Sequence, residues 1–105
     1  VLVRVLDREG IARAWVGHLP SAFWRDPAPG NRALYAALRP FGERLRAVPC
    51  VRPDWPGWER QLDEAVAEGA AAIRAYPQCW GLGPGDPRMT ALLAACGARG
   101  LALVV

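Results

Sequence analysis

Apolar runs that fit β-strands alternate along the whole chain with stretches of helical periodicity. Strands are predicted at residues 11–18, 45–51, 70–76 and 101–105. Helices are predicted at 1–9, from the N-cap Asn31 to residues 40–42, at 58–68, and from Asp86 to Gly97. The helical stripes predicted to be buried contain Leu34, Leu38 and Phe41 in the second helix, and Met89, Leu92, Leu93 and Cys96 in the last.

A glycine separates each predicted helix from the strand that follows it. These glycines are Gly10, Gly42, Gly69 and Gly100, so one helix-glycine-strand-loop unit is used four times. Such a repeat predicts a parallel sheet joined by right-handed crossovers. Two architectures share this pattern: a small doubly wound sheet and consecutive units of a (β/α)₈ barrel. No glycine fingerprint follows a strand, which disfavours a dinucleotide-binding fold.

The predicted strand at 70–76 carries one charged residue, Arg74, in a run of small apolar residues. Alternation places Arg74 and Tyr76 on one face of the strand with Ala72, and Ile73 on the other face. Two interpretations remain open. Arg74 is either a functional group at the carboxyl end of a buried strand or a structural residue that pairs with an acid or reaches the rim.

Other polar and aromatic residues lie at the carboxyl ends of the predicted strands. His18 ends the first strand, Trp24 lies in the long loop 19–30, and Arg52 follows the second strand. A loop of this length in a compact fold is often functional. His18 is either a pocket residue or a hydrogen-bonded structural histidine. Trp55, Trp58 and Trp80 are predicted to pack over helix and loop seams.

Composition limits the classes of partner. The chain has 105 residues, enough for one domain, and its net charge is +3. Its 13 basic residues are all arginines scattered along the chain among 10 acids, so no basic stripe predicts a nucleic-acid partner. No apolar run approaches the roughly 18 residues that a membrane span needs. We therefore expect neither a nucleic-acid nor a membrane partner.

Cysteine and histidine usage predicts neither a zinc cluster nor a disulfide framework. Cys50, Cys79 and Cys96 are far apart, and His18 is the single histidine. Reduced thiols and the absence of a secretory pattern at the start predict a cytoplasmic protein. The first helix has neither a methionine nor an N-cap of its own, so we expect the natural polypeptide to begin earlier.

Several motifs, in this order, carry a resemblance to a known family. They are Asp7-Arg8-Glu9-Gly10-Ile11, which is similar to a "D-x-x-G-I" start of a second strand; Asn31 after a long loop; residues 45–49 before Arg52-Pro53; residues 69–77, which are similar to "G-x-x-G-I-[RK]-x-x-P"; and Asp86-Pro87 before residues 101–105. Together they resemble the amidohydrolase-2 family of metal-dependent hydrolases, (β/α)₈ barrels that include aminocarboxymuconate-semialdehyde decarboxylase-like enzymes.

The resemblance implies that residues 1–105 are one partial domain, about half of a TIM barrel running from its first helix to its fifth strand and truncated at both ends. The expected arrangement is four parallel strands in sequential order with helices on the outer face. The family's metal ligands, an H-x-H pair upstream of Val1 and later residues beyond Val105, would lie outside this stretch. A divalent metal, most often zinc, is expected in the complete barrel and none in this chain alone, which should then be inactive.

The implied activity is hydrolysis or decarboxylation of a small carboxylated or cyclic molecule. No catalytic or metal-binding residue can be assigned to this stretch. The residues expected to line a substrate pocket are His18, Trp24, Arg52, Arg74 and Tyr76. The alternative function is a non-catalytic half-barrel that assembles with another chain, and open sheet edges also predict self-association.

Overall fold

The computed structural model describes residues 2–105. Within them the α-helices and β-strands are α1 (Leu2–Arg8), β1 (Ala14–Val16), α2 (Ala28–Leu38), β2 (Leu45–Ala47), α3 (Trp58–Ala67), β3 (Ala72–Arg74), α4 (Pro87–Ala98) and β4 (Ala102–Val104). Two 3₁₀-helices cover Leu19–Phe23 and Arg39–Arg44. The predicted alternation of helices and parallel strands is confirmed, but each strand is three residues long and therefore shorter than predicted.

The glycines that punctuate the repeat adopt the backbone conformation for which glycine is suited. Gly10, Gly42, Gly69 and Gly100 have φ angles of 71°, 57°, 71° and 68°. Positive φ is disfavoured for residues that have a Cβ atom, and glycine adopts it without that steric cost. Each glycine thus turns the chain from a helical segment towards the next strand.

The strands form two parallel pairs, β1 with β2 and β3 with β4. Backbone hydrogen bonds link the pairs, because the Ala71 and Arg74 amides donate to the Ala47 and Pro49 carbonyls, each at 2.9 Å. Between these two hydrogen bonds the chain advances three residues on the β3 side but two on the β2 side. One extra residue on one strand is the signature of a bulge. Pro49 also lacks the N–H that a regular ladder would use. The pairs are therefore joined by an irregular junction instead of a continuous sheet.

Two hydrophobic clusters lie between the strands and the helices. The first contains side chains of α1, α2 and β2, namely Leu6, Leu34, Tyr35, Leu38, Leu45 and Ala47. The second includes side chains of α3, β3 and α4, among them Leu62, Ala65, Ile73, Leu92 and Cys96. One cluster thus supports each pair of strands.

Three local predictions are wrong. Asn31 is not an N-cap, since α2 begins at Ala28 and the fully buried Asn31 lies inside it. Phe41 is 43% exposed because α2 ends at Leu38, before the stripe would reach it. Leu93 is 59% exposed because it lies about 100° around the helix from the fully buried Leu92.

No helix within residues 2–105 has both the length and the apolar character needed to cross a membrane.

Candidate functional site

A cleft on the strands is lined by residues of all four strands or of the segments just after them. The lining residues are Trp15, Gly17, Val48, Arg74, Tyr76 and Val104, and the cleft measures about 280 Å³. Ile73 packs in the core against the helices, and side chains alternate along a strand, so its neighbour Arg74 lies on the opposite face. We call this cleft, on the face away from the helices, the strand-face cleft.

Arg74 has no acidic partner among residues 2–105. Its guanidinium lies 4.9 Å from the centre of the Tyr76 ring, as a cation–π contact requires. Its Nε atom is buried without a hydrogen-bond partner. The interpretation of Arg74 as one half of an ion pair therefore has no support in this part of the chain, and its donors remain available to an anionic group.

Trp80 joins the residues of this cleft to those of the neighbouring loops. Its ring contacts Tyr76 edge to face, with centroids 6.1 Å apart, and the Arg52 guanidinium lies 5.0 Å from its centre. Its indole Nε1 donates to the Ala22 carbonyl at 2.9 Å. Trp80 is 9% exposed, which confirms the prediction that it is a packing residue.

Arg52 is held by partners on two segments. Its Nε and Nη2 donate to the two carboxylate oxygens of Asp54 at 3.0 and 2.8 Å, and its Nη1 donates to the Trp24 carbonyl at 3.1 Å. The hydrogen bonds from Arg52 lower the pKa of Asp54 below its usual value. Arg52 thus fixes the loop after β2 against the loop after β1, and few of its donors remain for a ligand.

The contacts described above connect Arg74, Tyr76, Trp80 and Arg52 in a row, and Trp24 and His18 lie at its far end. Their rings are in an edge contact with centroids 5.3 Å apart. The His18 Nδ1 lies 2.7 Å from the Oγ of Ser21, which is fully buried. The structure therefore agrees with the interpretation of His18 as a hydrogen-bonded histidine at a strand end.

Cys50 is buried beside this row and is unsuited to nucleophilic chemistry. Burial raises the pKa of its thiol to about 12, although the nearby Arg52 and Arg74 act in the opposite direction. A thiol that stays protonated is a poor nucleophile. No three His, Cys, Asp or Glu side chains within residues 2–105 converge on a point where a metal ion could bind.

All five residues predicted to line a pocket are therefore connected in one row, but they do not open into one cavity. Arg74 and Tyr76 line the strand-face cleft, whereas His18, Trp24 and Arg52 fasten the loops beside it. The link through Trp80 was not predicted, because it depends on a contact with Ala22, 58 residues away in sequence. Trp15 was also missed, although an aromatic residue alternating with Ala14 and Val16 in β1 was a usable signal.

Comparisons with protein-family models, with curated proteins and with solved structures found no match to this chain.

Proposed function

We propose that this chain is part of a metal-dependent hydrolase or decarboxylase of the amidohydrolase type, and that Arg74 binds an anionic group of its small carboxylated substrate. Parallel strands in sequential order, with the polar side chains at their carboxyl ends, support a segment of a (β/α)₈ barrel, in which sites lie at that end. The described residues offer no metal site, so we assign neither the metal nor any step that needs it to them.

The observation that carries the proposal is the environment of Arg74. The guanidinium is packed on Tyr76, contacts no carboxylate of residues 2–105 and lines a cleft. Arginine presents donors in a planar fork that matches a carboxylate with two parallel hydrogen bonds. The rings of Tyr76 and Trp15 provide apolar surface for the remainder of a small cyclic molecule.

Benzoate is a suitable probe, and its binding can be followed by the amide resonances of Tyr76 and Val104. We expect saturable shifts in the wild-type chain and their loss in Arg74→Gln. Arg13→Gln removes the same charge from an exposed position and should bind as the wild type does. Equal binding by Arg74→Gln would refute the assigned role of Arg74.

The assignment to a barrel enzyme is tested by the sequence next to this chain in its parent polypeptide. At about 30 residues per barrel unit, we expect an H-x-H motif within about 60 residues upstream of Val1 and a His directly after Val105. A polypeptide that lacks both would exclude this type of enzyme.

The second function, a non-catalytic half-barrel that assembles with another chain, is favoured by one observation. Among residues 2–105, strands β1 and β4 each pair with one neighbour, and Trp15 on the strand face is 60% exposed. Unpaired edges and exposed aromatic surface are typical of an interface. Assembly would also be compatible with an anion site at Arg74.

A further inference from the structure

The row of strands has two free edges that run in the same direction. Strands β1, β2, β3 and β4 lie side by side in chain order and are all parallel, with β2 joined to β3 through the bridge between Cys50 and Arg74. Within residues 2–105, β1 and β4 each have one neighbour. Because these two strands are parallel and lie at opposite ends of the row, β4 of one copy can pair with β1 of a second copy without a change of direction.

The helix beside the first edge, α1, carries exposed apolar side chains on its free side. Its Leu6 packs in the core, and its Asp7 pairs with Arg44, the residue before β2. Successive helical residues are about 100° apart, so Leu2 and Val5 lie about 140° and 160° around the helix from Asp7. They are 44% and 39% exposed. The side of α1 that faces away from the rest of the described chain is therefore apolar.

The helix beside the other edge, α4, has the same property. Arg99 pairs with Asp63 of α3 and so marks the side of α4 that faces α3. The fully buried Leu92 and Cys96 come next around the helix. Leu93 lies beyond them, about 120° from Arg99, and is 59% exposed. An apolar side chain therefore also lies on the free side of α4.

We propose that two copies of this chain close an eight-stranded parallel barrel, in which β4 of each copy pairs with β1 of the other. We call each such pairing a seam, and α1 of one copy packs beside α4 of the other across it. Eight parallel strands, each covered by a helix, form a closed barrel whose interior is filled by side chains. Within residues 2–105 each copy supplies four strands and four α-helices. A twofold axis makes the two seams identical.

The side chains of the strand face fit the inside of such a barrel. The partner copy would cover Trp15, which is 60% exposed in one copy. Arg46 already donates to the Gly69 and Ala70 carbonyls, each at 3.2 Å. Arg74 ends β3, and the carboxyl ends of the strands form the face of a barrel that substrates reach. The partner copy thus completes the walls of the strand-face cleft without burying either guanidinium alone.

This inference rests on the second of the two functions proposed above, assembly with another chain, and identifies that chain as a second copy. Sedimentation velocity at rising concentration should show one associated species of two copies and no larger one, because a closed ring leaves no free edge. Leu93→Lys and Val5→Glu should each weaken the dimer at least about tenfold, since each puts a charge where an apolar side chain would be buried. Val66→Lys is the matched control, because Val66 is 49% exposed on α3, away from the seams. It should leave the dimer unchanged.

A mixture of the two seam variants tests the pairing of unlike edges. In a mixed dimer one seam keeps Val5 opposite Leu93, and the other brings the two introduced opposite charges together. The mixture should therefore form dimers at a lower concentration than either variant alone. Pairing of two identical edges, such as β4 with β4, would give no such recovery.

A chain that stays monomeric up to tens of micromolar would overturn this inference together with the assembly function, whereas the role proposed for Arg74 would stand. Three results would overturn the inference alone: association into a growing series of sizes, dimers insensitive to both seam variants, and a mixture that dimerises no better than its components.

Discussion

At the scale of single residues, two close contacts on α2 decide how the first half of the chain packs. Asn31 donates to the Cys50 carbonyl at 2.7 Å and accepts from the Cys50 amide at 3.0 Å. Its carboxamide thus satisfies both backbone groups of a buried residue, as a neighbouring strand would. The preceding residue, Gly30, lies so close to His18 and Ser21 that an added Cβ atom would clash with their side chains. Both contacts fasten α2 to segments that follow the strands.

Gly30→Ala should destabilise the chain by about 1–3 kcal/mol, the usual range for overpacking. The added Cβ would lie 2.2 Å from the Ser21 Oγ and 2.8 Å from the His18 Nδ1. Gly97, also in a helix but with nothing within 4 Å of a Cβ, is the matched control. Gly97→Ala should stabilise by about 0.4–1 kcal/mol. Urea unfolding measures both, and equal effects of the two substitutions would contradict this packing.

At the scale of elements, signals that act within a few residues predicted the order of the helices and strands, but not the contacts between distant residues. Positive-φ glycines and helical periodicity fixed the order and kind of the elements, because both act within a few residues. The role of Asn31 could not be predicted in this way, since its partner Cys50 is 19 residues away and the position fits the N-cap rule equally well. Strands β2 and β3 are shorter than their apolar runs because Pro49 and the bulge interrupt the ladder between them. In the candidate site, Arg74 and Tyr76 were predictable from alternation, whereas the link through Trp80 was not.

The N-cap of α4, Asp86, should make the stability of the folded chain depend on pH. The Asp86 side chain accepts from the Arg88 amide at 2.9 Å and also pairs with the Arg88 side chain. The hydrogen bonds from Arg88, first from its side chain and then from its amide, lower the pKa of Asp86 from 3.8 to about 2. A carboxyl whose pKa is lower in the folded state than in the unfolded state stabilises the folded state. The Asp86 carboxyl contributes this stability fully above pH 3.8 and loses it as the pH falls through about 2.

Thermal unfolding between pH 7 and pH 2 tests the cap. Asp86→Ala should lower the Tm at pH 7 and flatten the fall of the Tm below pH 4. Asp86→Asn should lower the Tm at pH 7 less than Asp86→Ala does, since asparagine also caps helices. A wild-type Tm that falls below pH 4 no more steeply than that of Asp86→Ala would contradict the assigned cap.

At the scale of the whole molecule, the chain is elongated, with extents of 43 × 25 × 22 Å. The helices cover one side of the strands, whereas the strand-face cleft and the free edges of β1 and β4 are not covered within residues 2–105. A strand edge with unpaired backbone groups is a template for pairing with another strand. We therefore expect copies of this chain to associate.

Sedimentation velocity should show association that increases with concentration up to tens of micromolar. Ala102→Lys places a charge on the β4 edge strand and should shift the population towards monomer, because lysine blocks edge pairing. Ala94→Lys on the exposed side of α4 adds the same charge away from the edge and should not. A compact wild-type monomer that binds no dye specific for exposed apolar surface would refute the expectation.

The irregular junction between β2 and β3 also affects how easily the layer of strands bends. A segment with a bulge and a proline has fewer cross-strand bonds than a regular ladder and therefore resists bending less. The strand-face cleft crosses this junction, with Trp15 and Val48 on one side and Arg74 on the other. Flexing at the junction would open or narrow the cleft while each hydrophobic cluster stays intact. Any such flexing would therefore change the distance between the Arg74 guanidinium and the Trp15 ring.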